Sequence, residues 1–237
     1  VIFEEKIINL RCKPYMPGTP ENQKIFSIIS KSNYSFTSPK SNILKIVSDE
    51  EFLKKVKKKH RYYIKQSEKA GLTWENYSGS ETAKVFSIVY DEMKESKNLN
   101  LPIIDIDAFS KILGLNKDGK SRLFTFTGLE NNKPVSVCVV SILDNKAFYH
   151  YAASTDRGRV TSASYGMIFN LIKELRNLSV DELDFGGISA DGSSAGVDFF
   201  KLGFNGEELL KTGEFDISKS KVYSYVFSKL LQFKKNL

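Results

Sequence analysis

The sequence is poor in cysteine and histidine, with two of each in 237 residues. No CxxC and no Cys/His cluster exists, so a structural zinc site is excluded and no metal is expected. Cys138 lies in Val135–Ser141 (VSVCVVS), which reads as a buried strand. A free core thiol is the expectation there, and nothing supports a disulfide to Cys12. There is no G-x-S-x-G, and His60 and His150 have no evident nucleophile partner, which argues against a serine or cysteine hydrolase. There is no G-x-G-x-x-G and no regular βαβ alternation, so a doubly wound dinucleotide-binding fold fits poorly. No RRM or KH signature, internal repeat or low-complexity tract is present. No run approaches the ~20 apolar residues that cross a bilayer. Val1–Leu10 (VIFEEKIINL) carries early acids and lacks a signal-peptide apolar region. The chain therefore reads as cytoplasmic. Its start at Val1 rather than Met suits a fragment or a processed chain.

What is present is an ordinary globular composition. Hydrophobic residues make up 41% and charged residues 27%, enough to bury a full core and far from a disordered profile. The length suits one large domain or two small ones. The net charge of +7 points to an anionic partner such as RNA, a nucleotide sugar or a membrane surface.

Along the chain, 11–22 hold three of the six prolines and read as loop. Asn22–Ser30 is expected to form a short helix, and Ile43–Val47 a strand. A helix follows, capped by Ser48 with Glu51 completing a capping box, and stopped at Gly71. Between Lys54 and Lys69 it carries eight cations and one acid. A second helix is expected over Glu81–Ser96 with Val85, Ile88, Val89 and Met93 inward, and a third over Asp107–Leu113. Arg122–Leu129 and Lys133–Ile142 form a predicted hairpin turning at Glu130-Asn131-Asn132. Ala147–Ser154 is the next strand, then a helix from Ser162 to Leu178, a strand over Asp181–Phe185, a loop, a strand over Glu214–Ile217 and a helix over 220–233. This order predicts a mixed α/β or α+β sheet with helices on both faces.

Three segments carry chemistry. In the basic helix, Lys55, Lys58, Lys59, Arg61 and Lys65 are interleaved with His60, Tyr62 and Tyr63, a pattern that suits phosphate backbones and stacked bases. The loop Thr155–Thr161 (TDRGRVT) joins a strand to a helix start, so Arg157, Gly158 and Arg159 are candidates for an anion cradle. They match half of the R-x-x-G-x-G/A loop with which acetyltransferases hold coenzyme A pyrophosphate. The third segment is Asp184-Phe185-Gly186-Gly187, followed by Asp191 and then Phe199-Phe200-Lys201-Leu202-Gly203-Phe204. Glycines at a strand end admit a ligand close to the backbone, and a lysine among aromatics is a strong local electrostatic element. In Tyr149-His150-Tyr151, strand alternation puts both tyrosines on one side and His150 on the other.

Lys58–Leu72 (KKHRYYIKQSEKAGL), Tyr149–Ser154 (YHYAAS), and Asp184–Ile188 (DFGGI) with Phe200–Phe204 (FKLGF) together resemble the FemABX family of peptidoglycan interpeptide-bridge aminoacyltransferases and their GNAT-like relatives. The resemblance runs from about Ile43 to Ile217. It implies a GNAT-like acyl-CoA N-acyltransferase fold: a central, mostly antiparallel sheet flanked by helices, beside a truncated second GNAT-like subdomain. It divides the chain into 1–40, a remnant of that N-terminal subdomain, 41–217, the transferase domain, and 218–237, a C-terminal helix packing back. It also implies transfer of an acyl group to an amine, with Phe200 and Lys201 at the acyl-donor site. The implied co-substrate is aminoacyl-tRNA or acyl-CoA, with no bound cofactor. The implied acceptor is a peptidoglycan precursor or a nucleotide-sugar or glycan intermediate, and peripheral membrane contact is compatible. The helical arm of some glycine-adding members is absent.

On this reading Lys201 stabilises the oxyanion of the attacked carbonyl or the leaving 3′-oxygen, a role typically worth ~3 kcal/mol. Asp184 and Asp191 are candidates to orient the amine, and Asp198 is expected to support a helix or turn. Gly186 and Gly187 shape the donor site, and Tyr149 or Tyr151 lines the acceptor site. Two other readings stand beside it. One is an acetyl-CoA-dependent N-acetyltransferase of an amino sugar, resting on the Arg157–Arg159 loop. The other is a non-catalytic RNA-binding module, resting on charge alone.

Overall fold

The computed structural model describes residues 9–26, 30–31, 37–114, 121–189, 192, 194–218 and 220–235. The elements in chain order are β1 (Asn9–Cys12), α1 (Pro20–Ile25), β2 (Ser30–Lys31), β3 (Lys40–Lys45), α2 (Asp49–Lys55), α3 (Lys58–Lys69), β4 (Thr73–Ser78), α4 (Ser80–Ser96), α5 (Ile106–Gly114) and β5 (Ser121–Glu130). Then come β6 (Lys133–Leu143), β7 (Lys146–Ser154), α6 (Asp156–Val160), α7 (Ala163–Asn177), β8 (Glu182–Gly187), α8 (Ala195–Leu202), β9 (Glu207–Leu210), β10 (Phe215–Ser218) and α9 (Lys221–Lys235). They build a seven-stranded sheet in the order β4-β5-β6-β7-β8-β3-β9 and a three-stranded sheet in the order β1-β10-β2. The chain divides into two compact units. The larger is Asn42–Gly186 with Phe199–Glu207, and the smaller is Val1–Ser41, Gly187–Asp198 and Glu208–Leu237.

In the larger unit β4, β5, β6 and β7 pair antiparallel. The β5–β6 hairpin turns through Asn131 and Asn132, both at positive φ (51° and 63°), as a two-residue turn that follows strand twist requires. The VSVCVVS run is buried because both sheet faces are covered. Cys138, Val140 and Ile142 join the core under α7, while Val137 and Val139 join a second core under α4. Helix α7 sinks Met167, Ile168, Leu171, Ile172 and Leu175 to 1% exposure or less, each worth roughly 1.5–3 kcal/mol. Both cysteines are free thiols.

In the smaller unit Arg11 on β1 reaches across to β10. Its guanidinium donates to both carboxylate oxygens of Asp216 at 2.8 and 2.9 Å and to Glu214 at 3.4 Å. The Glu214 carboxylate in turn accepts from the Thr37 backbone N–H and hydroxyl. Asp198 accepts from the backbone N–H and hydroxyl of Ser189, the supporting role expected of it.

Several expectations change. The basic helix is two helices. Ser48 does cap the first, accepting from the Glu51 N–H, but Val56 leaves the helical region at ψ 135° and Lys57 starts the second. Val56 is 1% exposed, so its burial together with the Lys57 N–H donating to Gly203 O fixes the break. In α4 the inward residues are Val85, Phe86, Val89 and Tyr90, while Ile88 is 49% exposed. The first short helix spans Pro20–Ile25, with Ile25 exposed; the rest of the expected span lies largely outside the described residues. Strands β4 and β9, polar and short, were not visible as apolar alternation.

Candidate active site

The sheet of the larger unit splits at one place. β7 and β8 are parallel, yet they pair only over Lys146↔Glu182, Ala147↔Leu183 and Phe148↔Asp184. Beyond that register β7 continues to Ser154 and β8 to Gly187 without further pairing. Two causes act at the split. The β6–β7 register shifts between Val139 and Val140, opposite Tyr149–Tyr151, a bulge that bends β7. On β8, Asp184 accepts the Gly186 N–H at 2.8 Å, a tight local turn that holds Gly186 at φ +87°, where only glycine sits without strain. The resulting fork opens at the carboxyl ends of parallel strands, where α/β sheets bind ligands.

Lys201 lies at this fork. Its Nζ stands 3.0 Å from the point where a β-carbon on Gly186 would be, and the Tyr149 carbonyl oxygen is 3.6 Å from the same point. Phe200, beside it, packs into the core against Phe185, Tyr165 and Phe204. The sequence pattern of a lysine among aromatics thus becomes a cation carried on an anchored segment over bare backbone.

The segment is held from both sides. His60 is fully buried, and its Nε2 is 3.0 Å from Phe200 O. Its imidazole is boxed by Tyr165, Phe199 and Phe204, and desolvation, reinforced by Lys57 and Lys59, holds its pKa below the usual value. It is therefore neutral, with Nε2–H donating. Asn42 Nδ2 donates to Lys201 O at 2.9 Å. A β-carbon on Gly203 would fall 1.9–2.4 Å from three atoms of the His60 ring, so the chain touches that ring with its backbone.

The tyrosines part company. The bulge breaks alternation: Tyr149 packs edge-on against Phe185, while Tyr151 lies opposite Val139 on the α4 side and packs on Phe86. The expectation of both tyrosines on one side is therefore wrong. Burial raises the Tyr149 phenol well above its ordinary pKa, so this hydroxyl is a core group. Tyr151 is 39% exposed. His150 shares the Tyr151 side; its Nε2 is 2.7 Å from Ser141 Oγ and its ring meets Phe109 edge-on. Desolvation brings His150 to about 4, opposed by the charge of Asp184. His150 thus does contact a hydroxyl, contrary to the sequence reading.

The arginine loop is differently made. Thr155 caps α6 by accepting the Gly158 N–H. Arg157 donates to both oxygens of Glu130 at 2.7 and 2.5 Å, and Arg159 pairs with Asp156 and donates to Ser154 O. A β-carbon on Gly158 would stand 2.1 Å from Val135 O, so this glycine lets α6 touch β6.

On α2, Lys54 and Lys55 pair with Glu50 and Glu51 one turn back. On α3, Lys58, Lys59 and Lys65 are exposed and make no ion pair among the described residues. Lys59 Nζ sits 5.2 Å from the Phe199 ring centroid. Arg61 turns inward and its Nη1 donates to Leu53 O and Val56 O, satisfying the carbonyl end of α2. Gly187 belongs to the smaller unit, where it lies against Ser38. Asp191 lies outside the described residues. Among those residues no cluster of three His, Cys, Asp or Glu side chains is set to hold a metal, and no helix is long and apolar enough to cross a membrane.

A mostly antiparallel sheet forked between two parallel strands and flanked by helices defines a GNAT-like acyltransferase fold. The FemAB family model matches residues 122–232, a stretch that includes the fork and Lys201. The resemblance seen in the sequence holds, and with it the class of enzyme, an acyltransferase. Among solved structures, FemX superposes with a TM-score of 0.73 at 17% identity, covering 95% of this chain and 76% of FemX. L-PGS from Bacillus licheniformis superposes at 0.53 and 14% identity, covering 89% of this chain and 70% of that one. A tandem GNAT protein from the clavulanic acid biosynthesis pathway does so at 0.53 and 11% identity, covering 92% and 66%. At these identities the likeness concerns the fold. No curated protein matches the sequence.

Sequence reasoning missed the His60 and Asn42 contacts and the fork itself. The one signal for the first was Gly203 inside FKLGF, a glycine where a ring needs the backbone.

Proposed function

We propose that this chain forms an amide by transferring an aminoacyl group from aminoacyl-tRNA to an amine of a peptidoglycan precursor or surface-glycan intermediate. The observation that carries the reading is the Lys201 ammonium over Gly186 at the split of β7 and β8. The amine nitrogen attacks the ester carbonyl carbon and the C–N bond forms. Negative charge gathers on the carbonyl oxygen, then on the 3′-oxygen as the C–O bond breaks, and the proton lost by the amine nitrogen ends on that 3′-oxygen. An ammonium fixed at that point lowers the barrier because it needs no reorganisation when the charge appears.

The other residues take supporting places. Asp184 spends one oxygen on Gly186, so it shapes the fork, and Asp191 remains the candidate to orient the amine. Tyr151 and His150 share the face toward α4 and α5, which suits the acceptor. An RNA-borne donor is favoured over acyl-CoA by the α3 lysines, which make no ion pair among the described residues, and by the carboxylates already bound to Arg157 and Arg159.

The test is transfer of radiolabelled amino acid from charged tRNA to precursor by the full chain and by Lys201→Met. A loss of about 100-fold or more is expected, from the size of one oxyanion contact, with an unchanged melting temperature. Near-normal transfer by a folded variant removes Lys201 from the mechanism. Turnover of acetyl-CoA without tRNA binding selects the acetyltransferase instead, and RNA binding with no turnover of any donor selects the binding module.

A further inference from the structure

The helix that carries the proposed donor-binding lysines also carries the group that holds Lys201. Within the first turn of α3, Lys58 and Lys59 face solvent and His60 faces the core. Two contacts join this region to the lysine segment, Lys57 N–H to Gly203 O at 2.9 Å and His60 Nε2 to Phe200 O at 3.0 Å, and β3 adds a third, Asn42 Nδ2 to Lys201 O at 2.9 Å. The last two grip the carbonyls on either side of the Lys201 Cα. A long lysine side chain has four rotatable bonds, so fixing its Cα narrows the positions its ammonium can take over Gly186. The His60 ring is held among Tyr165, Phe199 and Phe204, and its Nδ1 is buried without a hydrogen-bond partner. A group that serves core packing alone gains nothing from a buried unsatisfied nitrogen, since leucine would fill similar volume without that cost. The imidazole is explained by what its other nitrogen does.

We propose that His60 and Asn42 are positioning residues that fix the Phe200–Lys201 backbone and so aim the Lys201 ammonium at the reacting carbonyl. This rests on the reading of Lys201 given above, but the placement of the ammonium is measurable without turnover. Because His60 lies one residue after Lys59, a donor phosphate engaging Lys58 and Lys59 bears on the same helical turn that aims the lysine.

The experiment uses the full chain with its lysines ¹³C-dimethylated, and the Lys201 NMR signal assigned by its disappearance in Lys201→Arg. In His60→Leu the Lys201 signal is expected to move and narrow while other lysine signals stay. In His60→Gln, which keeps a donating nitrogen, it is expected to return toward its original position. In the unmodified chain, kcat is expected to fall tenfold or more in His60→Leu and to recover to within about threefold in His60→Gln, with KM for the acceptor unchanged; the tenfold figure corresponds to about 1.4 kcal/mol of lost transition-state stabilisation. An unmoved Lys201 signal and unchanged kcat in a folded His60→Leu overturn the proposal. If that variant does not fold, Asn42→Ser decides by the same signal: it shortens the side chain out of reach of Lys201 O, and an unmoved signal there overturns the proposal equally. Normal transfer by Lys201→Met, with the signal still displaced in His60→Leu, would sink the catalytic reading and leave the positioning intact.

Discussion

Two cationic segments of this molecule look alike in sequence and differ in what the fold does with them. Thr155–Thr161 offers two arginines around a glycine at a helix start, and Phe199–Phe204 offers one lysine among aromatics with a glycine two residues on. In the first, each arginine is matched by a carboxylate, Glu130 or Asp156, and the glycine is consumed by backbone contact with β6. In the second, the rings and the glycine are consumed by packing on His60 and Phe185, and the ammonium is carried out over the fork. A cation becomes a catalytic candidate when the surrounding structure anchors its backbone and leaves its head at a reactive place. Charge content alone does not distinguish the two.

The largest expected effect tests that contrast directly. Lys201→Met is expected to lower kcat by about 10² to 10³ with the fold intact, measured by single-turnover transfer alongside thermal melts. A loss confined to KM would mean that the lysine binds donor and transition state alike, and the contrast would then be one of binding.

The next separates α3 from α2. Replacing Lys58, Lys59 and Lys65 with Gln removes three exposed cations, which should weaken tRNA binding about tenfold or more. The slope of log affinity against log salt should flatten by roughly 2 to 3. Lys54→Gln with Lys55→Gln removes cations already paired at i,i+4 and should change the slope by less than about 1. Fluorescence anisotropy across a salt series reads both. Equal effects from the two helices would erase the distinction that the break at Val56–Lys57 creates.

How much of this was legible beforehand follows the same logic. Order and type of the long elements were readable because α7, β6 and the β5–β6 turn each satisfy one local rule: an apolar stripe, an unbroken apolar run, an Asn-Asn turn. Lys201 was readable only through its motif. The sides of Tyr149 and Tyr151 were misread because a bulge adds one residue to the strand, and nothing in YHY announces it. The break at Val56 was invisible because the carbonyls it frees are satisfied by Arg61, five residues on, and the N–H of Lys57 by Gly203, far along the chain. The fork could not be read at all, since it is the place where pairing stops.

A smaller effect concerns the anchoring of the lysine segment. The folded-state pKa of His60 lies below its unfolded value of about 6.5. Between those two values the unfolded chain binds a proton that the folded chain refuses, so stability is full above about 6.5 and is lost as pH falls through the folded value. Lys57 and Lys59 push in the same direction. His60 alone can contribute a slope of up to about 1.4 kcal/mol per pH unit in that window. Melting temperatures between pH 7.5 and 5 should therefore fall in the wild-type chain and fall less in His60→Gln. Identical pH profiles would mean that His60 titrates normally and that its ring is open to water.

The smallest expected effect is the most exposing for the comparison. Arg157→Gln and Arg159→Gln together should change transfer by less than about twofold, because exposed ion pairs contribute little and these cations already have partners. Gly158→Ala should behave in the opposite way. Its new β-carbon would stand 2.1 Å from Val135 O, so it should lower stability by the ~1–3 kcal/mol typical of forced overpacking, read as a lower melting temperature, while leaving the folded fraction active. If the double arginine variant instead raised KM for the acyl donor tenfold, the pairs with Glu130 and Asp156 would have to open to admit an anion. Thr155–Thr161 would then be a phosphate site in use, and the preference for an RNA donor held by α3 would give way to coenzyme A.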